Sequence, residues 1–286
     1  MLYLLRAAQE ALRNGEWQRA VDLAVVAAAD PDQAIRARAL HLAAWVERHR
    51  LHRSEAVYRA ADAVLAAEEA GDQSLLRMVL RGAAAVAAHS GCHAECLEWA
   101  SRVFCLEPTR EERLHAHLTM AWSLYIQEDL GSAWIHAEEA RAQAEPGMAD
   151  WGHAHAVAAL VACARGLPRQ ALRLIAAAQP LVPADQYDTL AELALASTRA
   201  HLLLQNASAA RSALASAVTL MTLGRDPAHR VEFLTLQSWT LARDGRIEEA
   251  RRQGLAASQE ADHLDRPDLG VLVRRTLTCV EDTLDL

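Results

Sequence analysis

Two histidine pairs hold the residues best suited to chemistry in this chain. They are His115-Ala116-His117 and His153-Ala154-His155, with equivalent members 38 residues apart. Residues two apart on a helix do not face each other, so neither pair chelates an ion alone. His115 and His153 stand at matched places and could share an ion. No Asp or Cys completes a tetrahedral set nearby. Cys92-His93-Ala94-Glu95-Cys96 places two thiols four residues apart, within chelating reach on one helix. No second cysteine pair follows at zinc spacing. Buried cysteine commonly acts as a small hydrophobe, so packing is the expected role of Cys96. There is no glycine-rich phosphate loop and no Gly-x-Ser-x-Gly nucleophile elbow. The expectation is a scaffold with no catalytic residue, metal or cofactor. The enzyme alternative is a metal-dependent hydrolase using these histidines.

Composition says which elements must position such residues. Alanine is abundant, leucine and arginine follow, and the basic residues are all arginine. These are the strongest helix formers, so helix is expected nearly throughout. The net charge of −8 argues against a general nucleic-acid binder, which needs a basic surface to displace counterions. Cys92, Cys96, Cys105, Cys163 and Cys279 are odd in number and irregularly spaced. Reduced thiols and a cytoplasmic location are expected. No run reaches the roughly 18 apolar residues of a membrane span. Arg6 and Glu10 interrupt the first apolar stretch, which does not fit a signal peptide.

A repeat organises the chain. A turn residue recurs, followed five positions later by a small residue on a new helix. Gly15 leads to Ala20, Leu51 to Ala56, Gly91 to Cys96, Glu128 to Ala133, Gly166 to Ala171, Gln205 to Ala210 and Gly245 to Ala250. Successive anchors lie 36 to 40 residues apart. Two further columns test the register. Twelve residues before each anchor stand Ala8, Ala44, Ala84, Ala121, Ala159, Thr198 and Ser238. Seven residues after stand Ala27, Ala63, Val103, Ala140, Ala178, Ala217 and Ala257. Small side chains at matched sites let paired helices approach to the short end of the usual spacing of about 8–10 Å.

This pattern resembles the tetratricopeptide repeat across essentially the whole chain. In that family three small-residue columns mark where the two helices of a unit cross. The longer period is similar to the long-helix variants found as sensor domains of bacterial transcription regulators. The resemblance implies an all-α, right-handed α-solenoid of about seven hairpins plus a C-terminal capping helix. It predicts one domain over 1–286, with units at about 2–30, 32–70, 72–107, 109–145, 149–180, 185–223 and 227–264, and a cap at 267–284. Thr109 to Glu112 reads as a capping box, and Pro168 as a first helical residue. Asp30-Pro31-Asp32, Pro180 to Asp185 and Asp226-Pro227 read as connections. In the cap, Leu269, Leu272, Val273, Leu277, Val280 and Leu284 share one face, with Arg274, Arg275, Glu281 and Asp282 elsewhere.

The resemblance also implies a concave groove lined by the first helix of each unit. Carried over residue by residue, it assigns partner binding to Arg38, His41, Trp45, Arg48, Arg81, His115, Trp122, Tyr125, Arg199, Trp239 and Arg243. The wider face includes His49, His89, Leu118, His153, Leu160, Cys163, Glu192 and Glu232, over a floor lowered by Gly82 and Ala85. An acidic chain thereby keeps a basic, aromatic groove. Trp and Arg dominate binding hot spots, and arginine pairs a carboxylate bidentately. The family's lysine–asparagine carboxylate clamp is not reproduced. The expected partner is a protein or peptide, acidic with apolar side chains, and the expected role is regulatory or signalling. Neither nucleic acid nor membrane is expected as a direct partner. The alternative for the tryptophans is that they fill gaps between neighbouring first helices, and the alternative role for the chain is a purely structural assembly subunit. Met1, Leu2, Leu4 and Leu5 begin a helix with no cap before it, which suggests a homodimer through the N-terminal unit.

Overall fold

The computed structural model describes residues 1–49, 52–148, 150–224, 228–264 and 266–284, with the side chains of His49, Cys279 and 281–284 not included. Of the residues used above, Leu51, Asp226 and Pro227, and the side chains of His49, Cys279, Glu281, Asp282 and Leu284, lie outside the described residues. Every regular element among the described residues is a helix. Among the described residues the helices follow one another in the order the register predicts, with the hairpins α1 (Leu2–Arg13) with α2 (Trp17–Ala27), α3 (Gln33–His49) with α4 (Arg53–Ala70), and α5 (Gln73–His89) with α6 (His93–Phe104). Then come α7 (Arg110–Ile126) and α8 (Leu130–Gln143), followed by the hairpins α9 (Trp151–Ala164) with α10 (Pro168–Ala178), α11 (Tyr187–Leu203) with α12 (Ala207–Leu223), and α13 (Ala228–Arg243) with α14 (Ile247–His263). A single helix, α15 (Pro267–Leu284), ends the series. Among the described residues no helix is long and apolar enough to cross a membrane.

The turn inside each described hairpin has one design. Gly15, Gly91, Glu128, Gly166, Gln205 and Gly245 all adopt left-handed φ, between 58° and 78°. The amide after each closes back to the carbonyl five residues earlier, as in Glu16 N to Ala11 O at 2.9 Å, Asn206 N to His201 O at 2.9 Å and Arg246 N to Leu241 O at 3.0 Å. This is the Schellman ending, which satisfies carbonyls left over at a helix C-terminus. The anchor therefore follows at a fixed distance on the next helix.

The three small-residue columns are the crossing points. All their members are no more than 2% exposed. Where the first column departs from alanine, the hydroxyl is used locally. Thr198 donates to its own helix at Ala194 O (2.9 Å), and Ser238 donates across the hairpin to the carbonyl of the anchor Ala250 (2.7 Å). The Ser238 bond ties two columns together directly. At the start of α7 the capping box is complete: Glu112 Oε2 accepts from Thr109 N at 2.8 Å, and Thr109 Oγ1 accepts from Glu112 N at 3.2 Å. Pro168 opens α10.

Internal contacts divide the chain into two compact units, Met1–Ser123 and Leu124–Leu286, where the sequence reads as one continuous domain. In the first, Leu75, Val79, Leu80, Trp99 and Val103 anchor a core that also takes the alanines of α3 and α4. Its N-terminal helix corrects one expectation. Leu5 is buried with Ala27 and Ala39, and Leu4 packs on the same cluster. Only Met1 and Leu2 of the four named residues stay exposed.

In the second unit α15 packs by Leu269, Leu272, Val273 and Val280, all buried, and leaves Arg274 outside. Arg275 departs from the reading that set it on the polar side. Its Nη1 and Nη2 donate to the carbonyls of Tyr125 (2.9 Å) and Ile126 (2.5 Å), while Nε lies 2.8 Å from Glu128 Oε1. The guanidinium also lies 5.6 Å from the Tyr125 ring centroid. The cause is electrostatic: the last carbonyls of a helix carry unsatisfied partial negative charge, and arginine satisfies two at once.

Candidate functional site

In the first unit the inner residues of α3, α5 and α7 enclose an open depression of about 380 Å³. Helix α3 contributes His41, Leu42 and Trp45; α5 contributes Met78, Arg81, Gly82 and Ala85; α7 contributes His115 and Thr119. Gly82 and Ala85 leave the middle of the floor low, as the sequence suggests. His41 fills part of the space that glycine leaves, because a Cβ at 82 would fall 1.9 Å from its Cε1. Burial, with the nearby Arg81 charge acting in the same direction, lowers the His41 pKa to about 4. At neutral pH this imidazole is therefore uncharged.

The rim is cationic. Arg48 lies over the Trp45 ring, 4.3 Å from its centroid, which holds both in place by a cation–π contact. Arg81 Nη1 and His115 Nε2 converge on Glu111 Oε1 at 3.9 and 3.8 Å. Arg38 is exposed on the first turns of α3 and does not line the depression. Trp122 does not line it either. It is partly buried against the core of the first unit. Leu42, Gly82 and Thr119 form a column two residues before Ala44, Ala84 and Ala121. Leu42, Met78 and Thr119 also line the depression but lie outside the groove positions that the resemblance assigns. The column itself is visible in the sequence once the small residues are aligned.

In the second unit the corresponding row is covered. Tyr125, Arg199 and Trp239 are 3%, 9% and 3% exposed, and Arg243 is half-buried. Their expected place in an open groove is corrected by α15, whose apolar face takes this row. Trp239 clusters with Leu277 and Val280. Arg199 Nη1 donates to Thr276 Oγ1 at 3.1 Å, and Nη2 stands 3.5 Å from Glu232 Oε1. Leu160 and Cys163 are also buried, and burial pushes the Cys163 thiol up to about 12, which makes it inert as a nucleophile.

The histidine and cysteine motifs resolve into packing and pairing. His115 belongs to the first unit and His153 to the second. His117 lies against the Phe104 ring at 4.6 Å between centroids. His155 is buried with Nδ1 2.8 Å from Trp151 O and its ring 4.2 Å from that indole. His153 Nδ1 pairs with Glu192 Oε2 at 2.6 Å, and His229 Nε2 stands 3.6 Å from Glu192 Oε1. Cys96 is buried, its Sγ turned to Thr119 O at 3.9 Å, and burial raises its pKa to about 12. His93 Nδ1 meets Ser123 Oγ at 2.9 Å. Among the described residues no group of three or more His, Cys, Asp or Glu is arranged to hold a metal ion.

Repeated hairpins with a shared small-residue crossing define an α-solenoid of tetratricopeptide type. A crystal structure of a tetratricopeptide repeat protein from Parabacteroides merdae has this fold, with a TM-score of 0.64 over 95% of this chain and 98% of that one. The identity is 12%, so the likeness is one of fold. No protein-family model matches the chain, and no curated protein matches it.

Proposed function

We propose that this chain is a protein- or peptide-binding scaffold, serving as a regulatory or signalling adaptor, and that its ligand lies on the inner face of the first unit. The observation that supports this most is the depression between α3, α5 and α7, open to solvent, with an indole, a thioether and the Arg81 guanidinium around a low floor, and Arg48 over the Trp45 ring. An extended acidic segment fits it: an apolar side chain against Trp45 and Met78, and carboxylates toward Arg81 and Arg48. The comparable row of the second unit is occupied by α15, which leaves the first unit as the accessible one of the two faces.

The test is an array of extended peptides, acidic and neutral, each with one aromatic or aliphatic residue, read against the wild type and three variants. Trp45→Ala should lose binding by about 2 kcal/mol or more, as an aromatic anchor does. Arg81→Glu should weaken it most at low salt, where charges are least screened. Glu138→Ala, on α8, should be neutral. Equal binding by Trp45→Ala, Arg81→Glu and wild type would move the site elsewhere.

A further inference from the structure

Glu111 stands in the first turn of α7 with an exposed side chain, yet its carboxylate is not turned wholly to solvent. One oxygen, Oε1, is faced by two basic groups from different helices, Arg81 Nη1 of α5 at 3.9 Å and His115 Nε2 of α7 at 3.8 Å. Both basic residues line the depression, whereas Glu111 is not among its lining residues. The two distances exceed a hydrogen bond, and the side chain of Glu111 remains 63% exposed. An exposed pair of this kind is worth little and is easily exchanged.

We infer that Arg81 and His115 form a subsite for a ligand carboxylate, and that Glu111 occupies this subsite in the free protein as a built-in competitor. The inference rests on the binding reading above. A carboxylate entering from the depression approaches from the side of Trp45 and Met78, not from the rim. It can close to within hydrogen-bonding distance of the guanidinium, gaining a charge-assisted bond that the long Glu111 contact lacks. Glu111 then swings to water, where its hydration replaces a weak contact. The arrangement selects against ligands without an anionic group, because those would leave Glu111 in place and gain nothing from Arg81. It also sets affinity, since every ligand carboxylate must displace an intramolecular one.

Two small probes separate these statements: 3-phenylpropionate and its neutral amide, titrated into the full chain and followed by the Trp45 indole N–H and His115 ring resonances. The acid should shift both signals, and the amide should bind more than about tenfold more weakly, the worth of a charge-assisted hydrogen bond. Glu111→Gln should tighten the acid by up to about fivefold, the range of an exposed ion pair, and leave the amide unchanged. Arg81→Gln should remove the preference for the acid. Equal binding of acid and amide at Trp45 would overturn the carboxylate subsite and leave the depression as a binding site. An unchanged acid affinity in Glu111→Gln would overturn the competitor. Failure of both probes to move Trp45 would overturn the subsite and the binding reading together.

Discussion

The imidazole of His41 occupies the space that a side chain at Gly82 would need; a Cβ built there would lie 1.9 Å from His41 Cε1. The floor of the depression is therefore set by a pair, a glycine on α5 and a histidine on α3. Gly82→Ala should drive the ring off α5. The gain in helix propensity, about 1 kcal/mol, opposes the loss of packing, so global stability should change little. The diagnostic readout is the His41 titration, which should move from about 4 back toward the ordinary value near 6.5 as the ring becomes solvated. An unchanged His41 titration in a folded Gly82→Ala variant would show that the ring is not confined by this contact.

His41 also makes stability depend on acid. Its folded pKa of about 4 lies below the 6.5 of an unfolded histidine, so the unfolded chain takes up the proton first. The contribution is full above about pH 6.5 and is lost as pH falls from there to about 4. Its size is at most about 3 kcal/mol, from the difference of the two values. His41→Gln should flatten the stability profile of the first unit across that interval, measured by urea unfolding from pH 7 to pH 4. A slope as steep as that of the wild type would assign the acid sensitivity to other groups.

The repeat was legible because each hairpin turn ends at a left-handed residue and each crossing needs a small one. Glycine announces that turn at Gly15, Gly91, Gly166 and Gly245. Glu128 and Gln205 do not, and only the register assigns them to it. Their φ values of 67° and 58° show the geometry imposed on ordinary side chains. What the sequence could not show is which inner residues stay open. Trp45 and Trp239 stand in the same column, yet one borders a depression and the other is buried. The difference is α15, whose apolar face reads equally well as an end cap or as the cover of an inner row. Arg275 fits the polar side of a helical wheel, but a wheel carries no information about two free carbonyls elsewhere in the fold.

Gln205→Gly tests the turn. A left-handed conformation costs a non-glycine residue roughly 1–2 kcal/mol, partly offset by the greater freedom glycine has when unfolded. The variant should be more stable by about 0.5–1 kcal/mol in thermal unfolding. Glu128→Gly is the informative contrast: it relieves the same backbone but removes the partner 2.8 Å from Arg275 Nε. It should gain less than Gln205→Gly. Equal gains would show that the Glu128–Arg275 pair contributes nothing measurable.

Arg275→Met keeps much of the side chain's bulk and removes its charge. The carbonyls of Tyr125 and Ile126 then lose these donors. Hydrogen bonds to a charged group are worth about 1.5–3 kcal/mol each, so the variant should be destabilised by at least about 2 kcal/mol. Amide exchange should rise along α15 and at Tyr125, Arg199 and Trp239 more than in α10 or α12. Uniform exchange across the second unit would show that α15 is held by its apolar face alone.

Glu192 is the carboxylate on which the inner histidines of the second unit meet. Burial opposes its ionisation, but the charge and hydrogen bond of His153, with the His229 ring 3.6 Å away, outweigh that and hold its pKa at about 2. A carboxylate depressed below its unfolded value, here 4.5, adds stability above about pH 4.5 and loses it as pH falls toward 2. Glu192→Gln keeps the shape and removes the charge. It should destabilise the second unit near pH 5–6, where the histidines of an unfolded chain are largely protonated. The gap between variant and wild type should close as the pH approaches 2, because the wild-type residue is then neutral as well. Parallel denaturant titrations at pH 6, 4 and 2.5 give the comparison. A gap that stays constant across them would mean that Glu192 acts through its shape and hydrogen bonds, and that the His153–Glu192–His229 relay carries no net charge interaction.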